Sequence, residues 1–284
     1  MTSPVSVLNE IGRRLNRIRT SAKERWEPNP YRKFISDADY RRLKVMKRYI
    51  PCEVSLLGKK TSVVDACTFL VGLGEIFVSR PYEYQSYSGN PLILDCGANI
   101  GLSALFFKQQ CPSARVLAFE ADPEISKALV ANIRSFGLSD VTPRCEAIGT
   151  TNGSVVFSQR GGFAGRIENE KDTCHQQTVA VPCLRLKDLL ADVGPVDFLK
   201  MDIEGAEVDV LNDCRDSLGG VRNLFVEYHS LVGQPQRLHE TLEVLAKAGF
   251  RVEMQTTFGS AKPFLRSVEL GGMDFQTDIY AVRR

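Results

Sequence analysis

From residue 91 onward, short unbroken apolar runs alternate with longer stretches in which apolar residues recur every three or four positions. Leu92-Ile93-Leu94-Asp95 is a short apolar run followed by a glycine turn, as a strand buried inside a parallel sheet requires. Residues 102–109 follow as a helix and 115–119 as a second strand. Pro123 opens a helix with Ile125, Leu129, Ile133 and Phe136 on one face, and Gly137 stops it. Residues 141–147 form the next expected strand. The rhythm then breaks over 150–182, which predicts two antiparallel strands around the loop Gly161-Gly162-Phe163-Ala164-Gly165. It resumes with a strand at 196–202, a helix at 206–218 and a strand at 223–228. A helix at 236–248, with Leu238, Leu242 and Leu245 on one face, and strands at 250–256 and 275–282 complete the set. This alternation predicts an α/β fold with a doubly wound, mostly parallel sheet. Ligands bind such sheets beyond the carboxyl ends of the strands.

The first part of the chain reads differently. Leu8, Ile11, Leu15 and Ile18 lie at helical spacing among Arg13, Arg14, Arg17 and Arg19. A basic amphipathic helix of this kind can lie on an anionic membrane surface. Docking on its own domain or on a second subunit, as in a homo-oligomer, is the favoured reading. Pro28 and Pro30 punctuate the chain, 41–49 predicts another basic helix, and 53–57 and 61–65 predict a hairpin around Gly58-Lys59-Lys60. Residues 66–84 read as helix and linker. The first 50 residues carry 13 Lys and Arg against 5 Asp and Glu, although the whole chain has a net charge of only +2. The expected organisation is a basic helical and hairpin extension at 1–84 and a sheet domain at 85–284.

With 43% hydrophobic and 25% charged residues, disorder and a small disulfide scaffold are excluded. The modest net charge requires no nucleic-acid partner. None of the eight cysteines stands in a C-x-x-C pair, so they read as reduced, mostly buried thiols. No signal peptide or membrane-spanning run is evident, which predicts a cytoplasmic location, with the inner membrane surface allowed by the basic extension.

The candidate chemistry lies at the strand ends. After the first strand comes Asp95-Cys96-Gly97-Ala98-Asn99-Ile100-Gly101, where glycines permit a tight turn and close approach to a ligand. Asn99 replaces the middle glycine of the dinucleotide fingerprint. Asp95, with no base in the turn, disfavours a pyrophosphate and suits a cationic ligand such as S-adenosylmethionine. The second strand ends Phe119-Glu120-Ala121-Asp122-Pro123. Glu120 is placed to accept ribose hydroxyls, and Asp122 caps the helix. The stretch Lys200-Met201-Asp202-Ile203-Glu204-Gly205-Ala206-Glu207 crowds three carboxylates around a helix start. Capping explains part of this, and a nearby cation explains the rest.

Taken together, these motifs resemble the FkbM family of S-adenosylmethionine-dependent methyltransferases over roughly residues 91–282. Leu224-Phe225-Val226-Glu227-Tyr228-His229-Ser230 and Asp274-Phe275-Gln276 look like its polysaccharide-biosynthesis branch. The resemblance implies a Rossmann-like, seven-stranded methyltransferase sheet and O-methylation of a hydroxyl on a glycan, its precursor, or a polyketide-like small molecule. It implies Asp95, Gly97 and Asn99 for the methionine part of the cofactor and Glu120 for the ribose. Ala98, Gly101, Ala121, Ala147 and Asp202 belong to the same cofactor-binding set. Asp202, Glu204, Glu227 and His229 form the expected catalytic end, with His229 a general base or acceptor-positioning residue oriented by a carboxylate. The same carboxylates and His229 could instead hold Mg²⁺ or Mn²⁺.

Weaker signals are a flap at 161–165 between Arg160 and Arg166, an isolated Cys174-His175 pair, a surface His239, and Trp26 as an anchor. Two competing classes are a nucleotide-dependent oxidoreductase and a non-catalytic binding module that keeps the fold. Asp95 argues against the first, and the intact carboxylate set against the second.

Overall fold

The computed structural model describes residues 28–86, 88–158, 166–167 and 178–283. The basic helix expected at 8–18, Trp26, the loop at 161–165, and the Cys174-His175 pair lie outside the described residues.

The extension begins with helix α1 (Asp37–Lys44). Ser36 accepts a hydrogen bond from Asp39 N, and acids fill the first turn, so the helix starts and ends earlier than the expected 41–49. Strands β1 (Cys52–Leu56) and β2 (Lys59–Val63) form the hairpin in antiparallel register. Helix α2 (Ala66–Gly72), capped by Asp65, runs on into a π-helical stretch over Leu73–Ser79. Such wide turns are rare and frequent at functional sites.

The sheet elements follow as β3 (Leu92–Cys96), α3 (Leu102–Gln110), β4 (Arg115–Phe119), α4 (Pro123–Phe136) and β5 (Val141–Arg144). Asp122 caps α4 and Gly137 ends it in the left-handed region, as the pattern predicted. The single strand expected at 141–147 is two. Pro143 is tolerated in β5 because that strand lies at the sheet edge, and β6 (Ala147–Gly149) joins another sheet. That second sheet also holds β7 (Gly153–Ser158), β8 (Arg166–Ile167) and β9 (Thr178–Arg185). Then come α5 (Leu186–Val193), β10 (Val196–Met201), α6 (Glu207–Cys214) and β11 (Val221–Leu231), with a 3₁₀ turn at Arg215–Gly220 where 206–218 was expected to stay α-helical. Helix α7 (Leu238–Lys247), β12 (Arg251–Phe258) and β13 (Met273–Val282) end the described chain.

The seven-stranded order is β12-β13-β11-β10-β3-β4-β5. β13 alone runs antiparallel, between β11 and β12. Strand order reverses between β3 and β10, so a crevice opens at their carboxyl ends. One side of the sheet packs Ile93, Phe106, Phe107, Phe198 and Phe225 into the same core as Val54, Leu56, Phe69 and Phe77 of the extension. Tyr82 sits among these rings, 4.9 Å from Phe225 and 5.7 Å from Phe107 between centroids. The side chain of Asn132 pins the hairpin to α4 by bonding both backbone groups of Ser62. Leu94, Leu199, Leu211 and Leu245 build the other layer.

Phe107 is fully buried, with its ring 5.1 Å from that of Phe198. Phe107→Ala is expected to lower the unfolding free energy by about 3–5 kcal/mol in urea denaturation, through lost burial and the cavity left behind. A change below about 1 kcal/mol would show that this ring layer does not hold the extension to the sheet.

Candidate active site

The turn after β3 exists because Gly97 allows it. Its φ is +83°, and a Cβ there would lie 1.8 Å from the carbonyl oxygen of Asp202. Gly97 N and Ala98 N donate to Phe119 O, and Asp202 N donates to Cys96 O, so three strand ends are drawn together. Glu120 accepts from Asn99 N (2.9 Å) and Asp122 N (2.8 Å). Burial is the main influence on its carboxyl and pushes its pKa up to about 7, against those backbone bonds.

Lys200, which the sequence reading left without a role, enters this turn from the neighbouring strand. Its ammonium is 2% exposed and lies 3.0 Å from Asp202 Oδ2, 3.7 Å from Asp95 Oδ1 and 2.9 Å from Gly97 O. Burial works against its charge, but the carboxylates of Asp202 and Asp95 overcome this and hold its pKa above the ordinary range. The expectation that the turn has no base is therefore corrected, because β10 supplies one. Asp95 is buried and accepts from Ser103 Oγ at 2.6 Å, while its Oδ1 has no hydrogen-bond partner. It does not cap α3, whose N-cap is Gly101.

Beside this turn lie the ends of β10 and β11. Glu204 has a φ of 58° and is followed by Gly205 at +107°, a sharp turn that brings Glu207 back under it. The fully buried Glu207 carboxylate accepts from Ile203 N and Gly205 N and lies 3.1 Å from His229 Nδ1. The other ring nitrogen of His229 is 3.3 Å from Glu227 Oε1 and 3.6 Å from Glu204 Oε2. Burial opposes the imidazolium, but Glu207 and Glu204 outweigh it and raise the pKa of His229 well above its usual value. Burial raises the pKa values of Glu204 and Glu227 as well. About a fifth of each of these side chains stays open, so solvent relieves part of that effect. Gln276 Nε2 also donates to Glu227 Oε1. The cations that the three acids called for are thus Lys200 and His229.

A cavity of about 400 Å³ opens over these groups, within the roughly 300–1,000 Å³ usual for small-molecule sites. Of the residues expected at the cofactor, Gly97, Ala98, Asn99 and Asp202 line it; Asp95, Gly101, Glu120, Ala121 and Ala147 lie outside its lining. The expected catalytic residues Asp202, Glu204, Glu227 and His229 all line it. So does Glu75 of the π-helical stretch, also missed, although its charge within the apolar run at 68–78 was the available signal. Crowding by protein, together with Glu227 and Asp202, pushes its carboxyl up to about 8. Glu75 is open to the cavity, so screening tempers that push. His239 is exposed on α7, as expected.

Seven strands in this order, with one antiparallel strand and an acid-lined crevice at the reversal point, define an S-adenosylmethionine-dependent methyltransferase fold. A family profile, the methyltransferase FkbM domain, matches residues 95–252, more than half of the chain. The chain belongs to the FkbM methyltransferase family, and Gly97, Lys200, Asp202, Glu204, Glu227 and His229 fall within the match, whereas Glu75 and Gln276 lie outside it. Methyltransferase sdnD of Sordaria araneosa is 28% identical over 204 residues, 60% of this chain and 77% of that protein. The 2-O-methyltransferase NoeI of Sinorhizobium fredii is 29% identical over 157 residues, 49% of this chain and 63% of that protein, less than two thirds of its length. A solved methyltransferase FkbM from Methylobacillus flagellatus is similar over 98% of this chain and 60% of that one, at 16% identity and a TM-score of 0.46.

Glu207→Gln is expected to let the His229 ring lose its proton at a lower pH than in the parent chain, as read by NMR titration of the imidazole. An unchanged midpoint would show that Glu207 does not support the imidazolium. Gly97→Ala is expected to unfold at a markedly lower temperature, because its Cβ would overlap Asp202.

Proposed function

We propose that the protein transfers the methyl group of S-adenosylmethionine to a hydroxyl oxygen, with a sugar residue of a glycan or glycan precursor as the acceptor. The observation that carries this reading is the group formed by His229, Glu204, Glu227 and Asp202 on one wall of a cavity that also includes the glycine turn. When bound, S-adenosylmethionine supplies an activated methyl group on a positively charged sulfur. The acid-lined crevice fits that charge, and Gly97, Ala98 and Asn99 leave room for close approach. Glu120 is the ribose candidate, because each of its oxygens keeps a lone pair beyond the backbone bond it accepts.

A sugar hydroxyl is a weak nucleophile and must lose its proton as it attacks. Glu227 Oε1 lies 3.3 Å and Glu204 Oε2 3.6 Å from His229 Nε2, so the proton is shared within this group of side chains and not held by one residue. Glu207 fixes the ring through Nδ1 and keeps Nε2 turned toward Glu227 and Glu204. The name of the relative NoeI, a 2-O-methyltransferase, supports oxygen as the acceptor atom.

A second reading rests on Asp202, Glu227 and His229, whose ligand atoms lie within 4.8 Å of one another and could hold a divalent metal. Lys200, 3.0 Å from Asp202 Oδ2, already neutralises that carboxylate and favours the protonic reading. Cytoplasmic activity and the division at residue 84 belong to the same proposal. Among the described residues no helix is long and apolar enough to cross a membrane.

Methyl incorporation into a panel of sugars is expected to identify a hydroxyl acceptor. His229→Ala is expected to lower kcat on it by roughly 10²–10⁴-fold, with S-adenosylhomocysteine binding little changed. Parent-like turnover of His229→Ala across the pH range would refute the proton role, and a loss of turnover after exhaustive EDTA treatment would favour the metal.

A further inference from the structure

Two polar side chains of the extension reach the cavity, and the methyl-transfer group gives them no task. Helix α2 and the π-helical stretch after it supply part of the cavity wall, where Cys67, Val71 and Glu75 lie four residues apart. Glu75 is exposed and, among the described residues, has no hydrogen-bond or ion-pair partner. Tyr82 is 4% exposed and lines the same cavity, and its hydroxyl has no hydrogen-bond partner among the described residues. Arg48, the other charge that the extension brings to the wall, is held by Asp65 at 2.8 Å. A buried phenol ordinarily finds a partner, so an unengaged one at a cavity points to a ligand.

The surroundings of the pair indicate the ligand's chemistry. Burial aside, the group that acts most strongly on the Glu75 carboxyl is Glu227, which belongs to the group proposed to take the acceptor's proton. Asp202 and Glu227 are likewise the acids that act most on the Tyr82 hydroxyl. Both side chains therefore stand near the acceptor step, whereas Glu120, the ribose candidate, is outside the cavity lining. A phosphate would meet the carboxyls of Glu75, Asp202, Glu204 and Glu227. An ammonium only donates, which leaves the Tyr82 proton without an acceptor. A hydroxyl both donates and accepts, so it suits a phenol and a carboxyl together.

We infer that Glu75 and Tyr82 bind the acceptor through a second hydroxyl of the same sugar, while its reacting hydroxyl lies at Glu227 and His229. This contact rests on the acceptor class proposed above and narrows it to sugars with two free hydroxyls, excluding mono-ols. Glu75 and Tyr82 fix the acceptor's orientation, and the extension, which precedes the family match at 95–252, selects the substrate. Loss of either contact weakens acceptor binding and leaves the cofactor contacts of the glycine turn in place.

The test is methyl transfer from S-adenosylmethionine to methyl glycosides of the common hexoses and deoxyhexoses, with cyclohexanol as a single-hydroxyl probe. Transfer to a glycoside and none to cyclohexanol is expected. On that glycoside, Glu75→Leu is expected to raise KM about tenfold or more and Tyr82→Phe about threefold or more, with kcat within about twofold of the parent. S-adenosylhomocysteine affinity by calorimetry is expected to stay at the parent value in both. Glu83→Gln, at an exposed acid of the extension outside the cavity lining, leaves KM unchanged. A monodeoxy glycoside lacking the second hydroxyl is expected to bind the parent more weakly and to lose nothing further on Glu75→Leu. A parent-like KM in either variant overturns the inference and leaves the sugar acceptor standing. An S-adenosylhomocysteine affinity that falls as much as KM rises also overturns it, and assigns the pair to the cofactor. Transfer to none of the glycosides refutes the sugar acceptor itself, and the inference with it.

Discussion

A buried ammonium holds the site together. Lys200 is 2% exposed, within reach of Asp95, Asp202 and the Gly97 carbonyl, and it joins β10 to the turn of β3 at the point where strand order reverses. A buried charge is tolerated only when paired and hydrogen-bonded. Here the pairing fixes the distance between two strand ends, and every other group of the site is placed relative to those ends. Gly97 meets Asp202 because the strands are held so close that no side chain fits between them.

From that point the charges alternate in a chain across the crevice. Asp202 follows Lys200, His229 follows Glu227 and Glu204, and Glu207 lies behind His229, anchored by the backbone N–H groups of its own turn. Each acid lowers the cost of the neighbouring cation, so the group can exchange a proton without stranding a charge. The proposed acceptor chemistry needs this property. It also explains why three carboxylates can crowd one helix start without destabilising it.

Much of the fold was legible because burial on both faces leaves a plain pattern. Leu92-Ile93-Leu94 and Phe198-Leu199 could only be central strands, and Pro123 and Gly137 bracketed α4 as written. The meeting of 202–207 with 227–229 was legible from topology, since adjacent parallel strands bring these stretches together. Lys200 was not, because a lysine inside an apolar strand does not reveal whether it faces a neighbouring carboxylate or water. Glu75 was missed because its register depends on a π-helical stretch that no 3.6-residue periodicity announces. The early start of α1 rested on a single serine cap at Ser36, and the split after β5 on pairing partners distant in the chain.

The most direct test of the Lys200-centred site is calorimetric titration of S-adenosylhomocysteine, with NAD as a control, into the parent chain and into a Lys200→Met chain whose fold is verified by circular dichroism. The account predicts micromolar binding of S-adenosylhomocysteine to the parent chain, no binding of NAD, and affinity weakened about tenfold or more by the substitution, roughly 1.4 kcal/mol. Equal affinity in the two chains, or preference for NAD, would contradict it.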